Sequence, residues 1–272
     1  MADSVDPIGQ WVDLERYPLL RPQASATLEL LAQAREQFTT IGAVCLPGFV
    51  KPSVLPGICQ DMRVHAGHAF YNVQQHNVYF DTPDPSWAHD HPGRRLLRTA
   101  QKALAADTIA AHSPLWAIYR WEPLRRFLAQ IVDHPAQLQT HADELAALNV
   151  MTMDDQDELG WHFDRSDFAT TLMLQAPRGG GRYQFVPQLR SASDPALPAL
   201  GQLLNGQHPH VIELDIQPGT LTFFAGRWSP HRVTPVQGGQ RVMAVLGYVR
   251  EPGAVFSAQE RRRFYGRSEV LR

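Results

Sequence analysis

At 272 residues, with 44% hydrophobic and 19% charged residues, the chain has the composition of an ordinary folded protein, long enough for one large domain or a core with an extension. Its formal net charge is −2 with acids and bases interspersed, which excludes a basic stripe for nucleic acid or a lipid surface. No apolar stretch approaches the ~18 residues of a membrane-crossing helix. The acidic opening Met1-Ala2-Asp3-Ser4-Val5-Asp6 lacks the apolar core of a secretory leader, so a cytoplasmic, reducing location is expected.

In chain order, Ser25 is placed to cap a helix through Leu28, Leu30, Leu31 and Ala34 that ends near Gly42. The short apolar run Ala43-Val44-Cys45-Leu46 reads as a strand closed by Pro47-Gly48. Cys45 and Cys59 both sit in apolar surroundings and read as buried free thiols. A second helix is expected from Val54 to about Phe70. Residues 72–93, rich in Asn, Gln, His, Asp and Pro, read as a loop lying over a pocket. Helices are expected again at Arg94–Ala106 and Leu115–Val132, with a short one at Ala136–Ala147.

From Asn149 onward the hydrophobic period becomes two. Leu172 and Leu174 alternate with Thr171, Met173 and Gln175, and Ile212, Leu214 and Ile216 alternate with Glu213, Asp215 and Gln217. Further strands are expected at Arg182–Val186, Thr220–Phe224 and about Gln240–Val249. Gly179-Gly180-Gly181 reads as a turn, because neither its spacing nor a following helix fits a phosphate loop. Short strands with Gly/Pro punctuation and no helices between them predict antiparallel sheets in a sandwich or jelly roll. The expected organisation is an α+β unit: a helical scaffold over 1–147, a β-core over 148–255, and an extension over 256–272. The basic run Arg261-Arg262-Arg263 in that extension reads either as a segment packed back onto the body or as a solvated helix end.

The sharpest local signal is Trp161-His162-Phe163-Asp164. On a strand, residues i and i+2 share a side, so His162 and Asp164 can converge on one metal ion while Phe163 points away. His231, beside Pro230 and opening His231-Arg232-Val233-Thr234-Pro235-Val236, is the best third ligand. Two histidines and a carboxylate on one face make a facial triad, which leaves three coordination positions open on iron. Shortly after, Arg241 opens the apolar strand Val242-Met243-Ala244-Val245-Leu246. A buried arginine there is costly without an anion, and its planar fork suits a carboxylate. An internal Asp or Glu partner is the competing explanation. His89 and His91 look like a ligand pair but sit in a Pro/Asp-rich loop and read as solvated.

The series His162-Phe163-Asp164, His231-x-Val233-x-Pro235-Val236 and Arg241 resembles the iron(II)/2-oxoglutarate-dependent oxygenases over about 148–250. That resemblance implies a double-stranded β-helix (jelly-roll) core and Fe(II) held by His162, Asp164 and His231. It further implies 2-oxoglutarate chelating the metal, with its distal carboxylate on Arg241, and O2 as oxidant. Asp157-Glu158-Leu159-Gly160-Trp161-His162-Phe163-Asp164 and Gly180-Gly181-x-Tyr183-x-Phe185-Val186-Pro187 look like a branch acting on free amino acids, which contains both hydroxylases and carbon halogenases. Halogenases of this branch carry glycine in place of the carboxylate, so Asp164 implies hydroxylation. Many relatives place Ser or Thr two residues after the cosubstrate arginine. Here Met243 stands there, leaving Asn149, Thr170 and Tyr248 as candidate second donors. Trp161, Arg165, Asp167 and Trp228 flank the ligands as candidate substrate contacts, with His76 and Asn77 as weaker ones. A small-molecule partner is expected, with no nucleic acid and no membrane. The same chemistry on a peptide or natural-product intermediate, a zinc hydrolase using the same ligands, and a non-catalytic jelly-roll binding protein are the alternatives.

Overall fold

The computed structural model describes residues 7–271; the acidic Met1–Asp6 segment lies outside them. Helix α1 (Ser25–Ile41) buries Leu31 and Ala34 and stops at Gly42, whose left-handed φ of 70° lets its N–H close on the Phe38 carbonyl. Its N-cap is Ala24, without a side-chain cap, so Ser25 is the first helical residue and not the cap. The Thr27 hydroxyl instead donates to the carbonyls of Pro18 and Arg21, which fixes the entry turn. Helix α2 (Leu55–Val64) is shorter than expected, giving way to a 3-10 turn over Ala66–His68. The helix expected over 115–132 is two: α3 (Pro114–Arg120) and α4 (Glu122–Ile131), broken at Trp121. Pro123 explains the break, since it has no N–H and its ring excludes the carbonyl four residues back. Helices α5 (Leu197–Leu204) and α6 (Ala258–Tyr265) complete the set, α6 with a full capping box between Ser257 and Glu260. None of the described helices is long and apolar enough to cross a membrane.

The strands are β1 (Ala43–Leu46), β2 (Phe70–His76), β3 (Leu97–Leu104), β4 (Gln139–Thr140), β5 (Leu148–Met153), β6 (Glu158–His162), β7 (Ala169–Gln175), β8 (Gly179–Gly180), β9 (Tyr183–Phe185), β10 (Ile212–Leu214), β11 (Leu221–Phe224), β12 (His231–Val233), β13 (Val236–Gln237), β14 (Arg241–Leu246) and β15 (Tyr248–Val249). Three expectations fail here. Residues 97–104 form a strand in place of the expected helix, because pairing with β2, β5 and β6 outweighs the helix-forming Ala, Lys, Gln and Leu. The start of the expected 72–93 loop is β2, a strand that buries the polar Asn72 and His76 and exposes Tyr71 and Val73. The short helix over 136–147 is absent: β4 and a turn replace it, with Leu145 and Ala146 N–H groups donating to the Asp143 carboxylate.

The large sheet runs in the order β1-β11-β7-β14-β5-β3-β6-β12-β9-β10, with β2 on β3, and the pairings are antiparallel. It curls on itself as the jelly-roll half-barrel. β3 joins its two walls by pairing with both β5 and β6. The first wall (β1-β11-β7-β14-β5) turns Leu46, Leu221, Phe223, Leu172 and Ala244 outward into the main core, under α1, α2 and α4. Its opposite side faces the barrel interior, where Ala43, Phe224 and Met153 meet Tyr183, Phe185 and Val233 of the second wall. Both cysteines are unpaired, and burial raises the pKa of each thiol.

Candidate metal centre and cosubstrate pocket

His162 ends β6 and His231 opens β12, and the two are directly paired across the ladder. Pairing puts both side chains on one face, with ring centroids 4.1 Å apart. Each ring is oriented by a carbonyl two residues back. His162 Nδ1 lies 2.9 Å from the Gly160 carbonyl and His231 Nδ1 lies 3.0 Å from that of Ser229, which leaves both Nε2 atoms free to face a common centre. Asp164 sits just past β6, its Oδ1 3.6 Å from His162 Nε2 and 3.5 Å from His231 Nε2. One ligand atom from each residue falls within 4.8 Å of the others. Ligand atoms at adjacent positions about 2.1 Å from a metal lie roughly 3 Å apart, so a small closure completes the site.

Burial pushes the His162 imidazole toward its neutral, metal-binding form, and neighbouring His231 adds to this. Burial alone would raise the Asp164 pKa, but His231 and His162 outweigh it and hold the carboxyl below its usual range. Asp164 Oδ2 is buried with no hydrogen-bond partner. An anionic oxygen in that state wants a cation, and two imidazoles with one carboxylate are the donor set of non-heme iron(II) sites.

Arg241 opens β14 on the interior face and is 1% exposed. Its Nε donates to the Gly181 carbonyl at 3.0 Å and its Nη2 points at Met243 Sδ at 3.5 Å, a weak acceptor. No Asp or Glu among the described residues pairs with it. Burial lowers its pKa to about 10, so it stays charged at neutral pH. An internal carboxylate, the competing explanation from the sequence, is therefore excluded among the described residues. Gly180 and Gly181 are needed here: both have φ near +60°, and a Cβ on Gly180 would lie 2.0 Å from the Pro235 carbonyl oxygen.

The three candidate second donors do not meet the arginine. Thr170 pairs with Phe223 and shares the outward, helix-covered face of Leu172, so it lies on the wrong side of β7. Tyr248 donates to the Tyr119 carbonyl at 2.9 Å, within the main core. Asn149 lies in the Val245 row, four residues and roughly 13 Å along the ladder from the Arg241 row, and its amide turns to the Tyr265 hydroxyl at 3.2 Å. The residue sequence reasoning missed is Tyr183. It sits on β9 inside the barrel, its hydroxyl buried without a partner. Burial pushes its pKa well above 10, and both Asp164 and Arg241 are close enough to act on it. Its ring lies 5.6 Å from that of His231, and its hydroxyl is a protonated donor. The Gly180-Gly181-x-Tyr183 motif was its only trace in the sequence.

The proposed substrate contacts divide. Trp161 points away from His162 into a separate cluster with Val78, Phe163 and Leu200, under the Arg232 guanidinium, so it does not line the site. Arg165 and Asp167 are exposed and held in ion pairs, Arg165 with Glu260 of α6 at 2.6 Å and Asp167 with Arg227 at 3.0 Å. Trp228 is half-buried on the loop before His231, 6.0 Å from the Arg190 guanidinium. The wall beside His162 comes instead from the end of β2 and the turn over residues 77–80. Phe80, at φ +54°, presents its ring 5.0 Å from that of His162, stacks on His76 at 3.9 Å and is held by Arg263 through its carbonyl at 2.6 Å. His76 thus borders the centre, with Arg263 of α6 behind Phe80, and Asn77 keeps a buried, unpartnered amide nitrogen.

A family profile described as halogenase D matches residues 26–258. The chain belongs to the halogenase D family. No curated protein matches the sequence. Solved structures with the same fold include HygX from Streptomyces hygroscopicus with nickel, 2-oxoglutarate and hygromycin B bound (12% identity, TM-score 0.53, 79% of this chain and 86% of that one). Two others are the α-ketoglutarate-dependent epimerase SnoN of nogalamycin biosynthesis (12%, 0.54, 82% and 83%) and a Pseudomonas putida prolyl-4-hydroxylase (15%, 0.50, 82% and 100%). At these identities the likeness is one of fold, that of the iron(II)/2-oxoglutarate-dependent oxygenases. Family and fold together make the chain a 2-oxoglutarate-dependent oxygenase, with a His-Asp-His site that can hold iron.

Proposed function

We propose that this family member is a hydroxylase, inserting oxygen into an unactivated C–H bond of a small polar substrate, with a free amino acid as the first class to test. The observation that carries the reading is Asp164, whose carboxylate stands in the same face as the two imidazoles. It fills the position that an exogenous halide would need. His162, Asp164 and His231 would hold Fe(II), which with 2-oxoglutarate and O2 supplies the oxidising power. Arg241 binds the distal carboxylate of the cosubstrate, with Tyr183 as the neighbouring donor. The barrel's apolar lining of Phe185, Phe224 and Val233 excludes water from the pocket. Phe80 and His76 shape the wall where the substrate C–H bond is presented, and Arg165, Asp167 and Trp228 lie along the approach. The two free thiols suit a cytoplasmic setting.

The test is an anaerobic-to-aerobic assay with iron, 2-oxoglutarate, chloride and an amino-acid panel. Substrate-dependent succinate with a product gaining one oxygen supports the reading. A chlorinated product instead of an alcohol overturns it.

A further inference from the structure

We propose that Gly226 is the positioning residue that admits the Asp164 carboxylate to the metal-binding face, so that position 226 decides whether the third ligand can come from the chain at all. The inference rests on the metal assignment above and goes beyond it. A Cβ built on Gly226 would lie 1.9 Å from Asp164 Oδ2, 2.6 Å from its Cγ and 2.9 Å from its Cβ. The last distance is itself below what Cβ atoms tolerate, so rotating the carboxyl away does not relieve the contact. The backbone has no room to retreat either. The Asp164 N–H donates to the Gly226 carbonyl at 3.0 Å, locking the two segments together.

The loop that carries Gly226 is anchored on both sides. Ala225 N–H donates to the Gly42 carbonyl at 2.8 Å, Gly226 N–H to that of Phe224 at 3.1 Å, and Ser229 N–H to that of Ala225 at 3.2 Å. Gly226 is not among the glycines with positive φ, so alanine is acceptable to its backbone. The glycine is required for space, and the space belongs to one carboxylate. With a methyl group there, the carboxyl must leave the face, and a coordination position passes to solvent or a small anion. The pair 164/226 therefore acts as one unit: carboxylate with glycine, or no carboxylate with freedom at 226.

Four full-length proteins test this by Co2+ titration, followed through visible absorption with and without chloride: wild type, Asp164→Gly, Gly226→Ala and the double variant. We expect Gly226→Ala to weaken Co2+ binding about 10- to 100-fold, as far as Asp164→Gly does. The double variant should be no weaker than Asp164→Gly and should keep its thermal midpoint, since the added methyl group enters vacated space. Chloride should change the Co2+ spectrum in the three variants and not in wild type. Gly226→Ala with wild-type affinity and a chloride-insensitive spectrum overturns the inference. A double variant whose losses add also overturns it, because that marks a packing defect. Should Gly226→Ala fold poorly alone, recovery in the double variant still supports the clash, and failure there refutes it. Wild type that binds no Co2+ refutes the metal assignment instead.

Discussion

Replacing Arg241 by methionine separates binding from packing. The side chain is 1% exposed, makes one firm hydrogen bond to the Gly181 carbonyl and has no internal anion. Removing an uncompensated buried charge should leave the stability of the ligand-free protein within about 1 kcal/mol of wild type, or raise it. Losing one partner of a buried, hydrogen-bonded charge pair costs at least about 3 kcal/mol in binding, roughly a 100-fold weaker 2-oxoglutarate Kd. At a concentration about 100 times the wild-type Kd, the cosubstrate stabilises wild type by ~2.7 kcal/mol. In the variant the same concentration only matches Kd and gives ~0.4 kcal/mol. For a chain of this size about 2 °C accompanies each kcal/mol, so a Tm rise of about 5 °C should shrink to about 1 °C. Anaerobic thermal melts with Fe(II), plus and minus 2-oxoglutarate, read this directly. A variant that keeps most of the rise, or loses several kcal/mol without ligand, refutes the anion-anchor argument.

Exchanging His162 or His231 for alanine should each abolish substrate-dependent succinate formation and metal retention; a fully active variant at either position contradicts the assignment. Tyr183→Phe should weaken 2-oxoglutarate by about tenfold, as loss of a hydrogen bond to a charged acceptor implies, while the ligand-free Tm holds or rises because an unpartnered buried hydroxyl is gone. Unchanged cosubstrate affinity by calorimetry would assign Tyr183 to packing alone. His76 has its pKa lowered from 6.5 to about 4, chiefly by burial. The unfolded chain therefore takes up the proton first, so this contribution to stability is whole above about pH 6.5 and is lost as pH falls toward about 4, by at most ~3 kcal/mol. Urea midpoints for wild type and His76→Gln between pH 7 and 4.5 should converge at the acid end. Parallel curves would remove His76 from the account.

The candidate metal cluster was legible because His162 and Asp164 stand two residues apart in extended chain, and they stay on one side although β6 ends at His162. Arg241 was legible because a lone charge in an apolar strand demands an explanation. Thr170 misled because the face of a strand follows from its partner's register, and pairing with Phe223 cannot be read from β7 alone. Tyr183 went unassigned for the matching reason: an aromatic residue in a short strand resembles core until its hydroxyl is seen to lack a partner. Residues 97–104 read as helix because local propensity was the only signal available, and three neighbouring strands decided otherwise. Gly226 carried no sequence signal, since its role is one close approach to a segment 62 positions earlier in the chain.

The candidate ligands His162 and His231 belong to one wall of the curled sheet and Arg241 to the other. A dicarboxylate gripped at both ends would act as a crossbar between them, gauged by the gap between layers and not by any single loop. Such a brace shortens or lengthens only if the walls themselves move, which favours a diacid of one fixed reach over its homologues. Its arrival should also slow amide exchange along β14 and β12 together, although those strands share no hydrogen bonds.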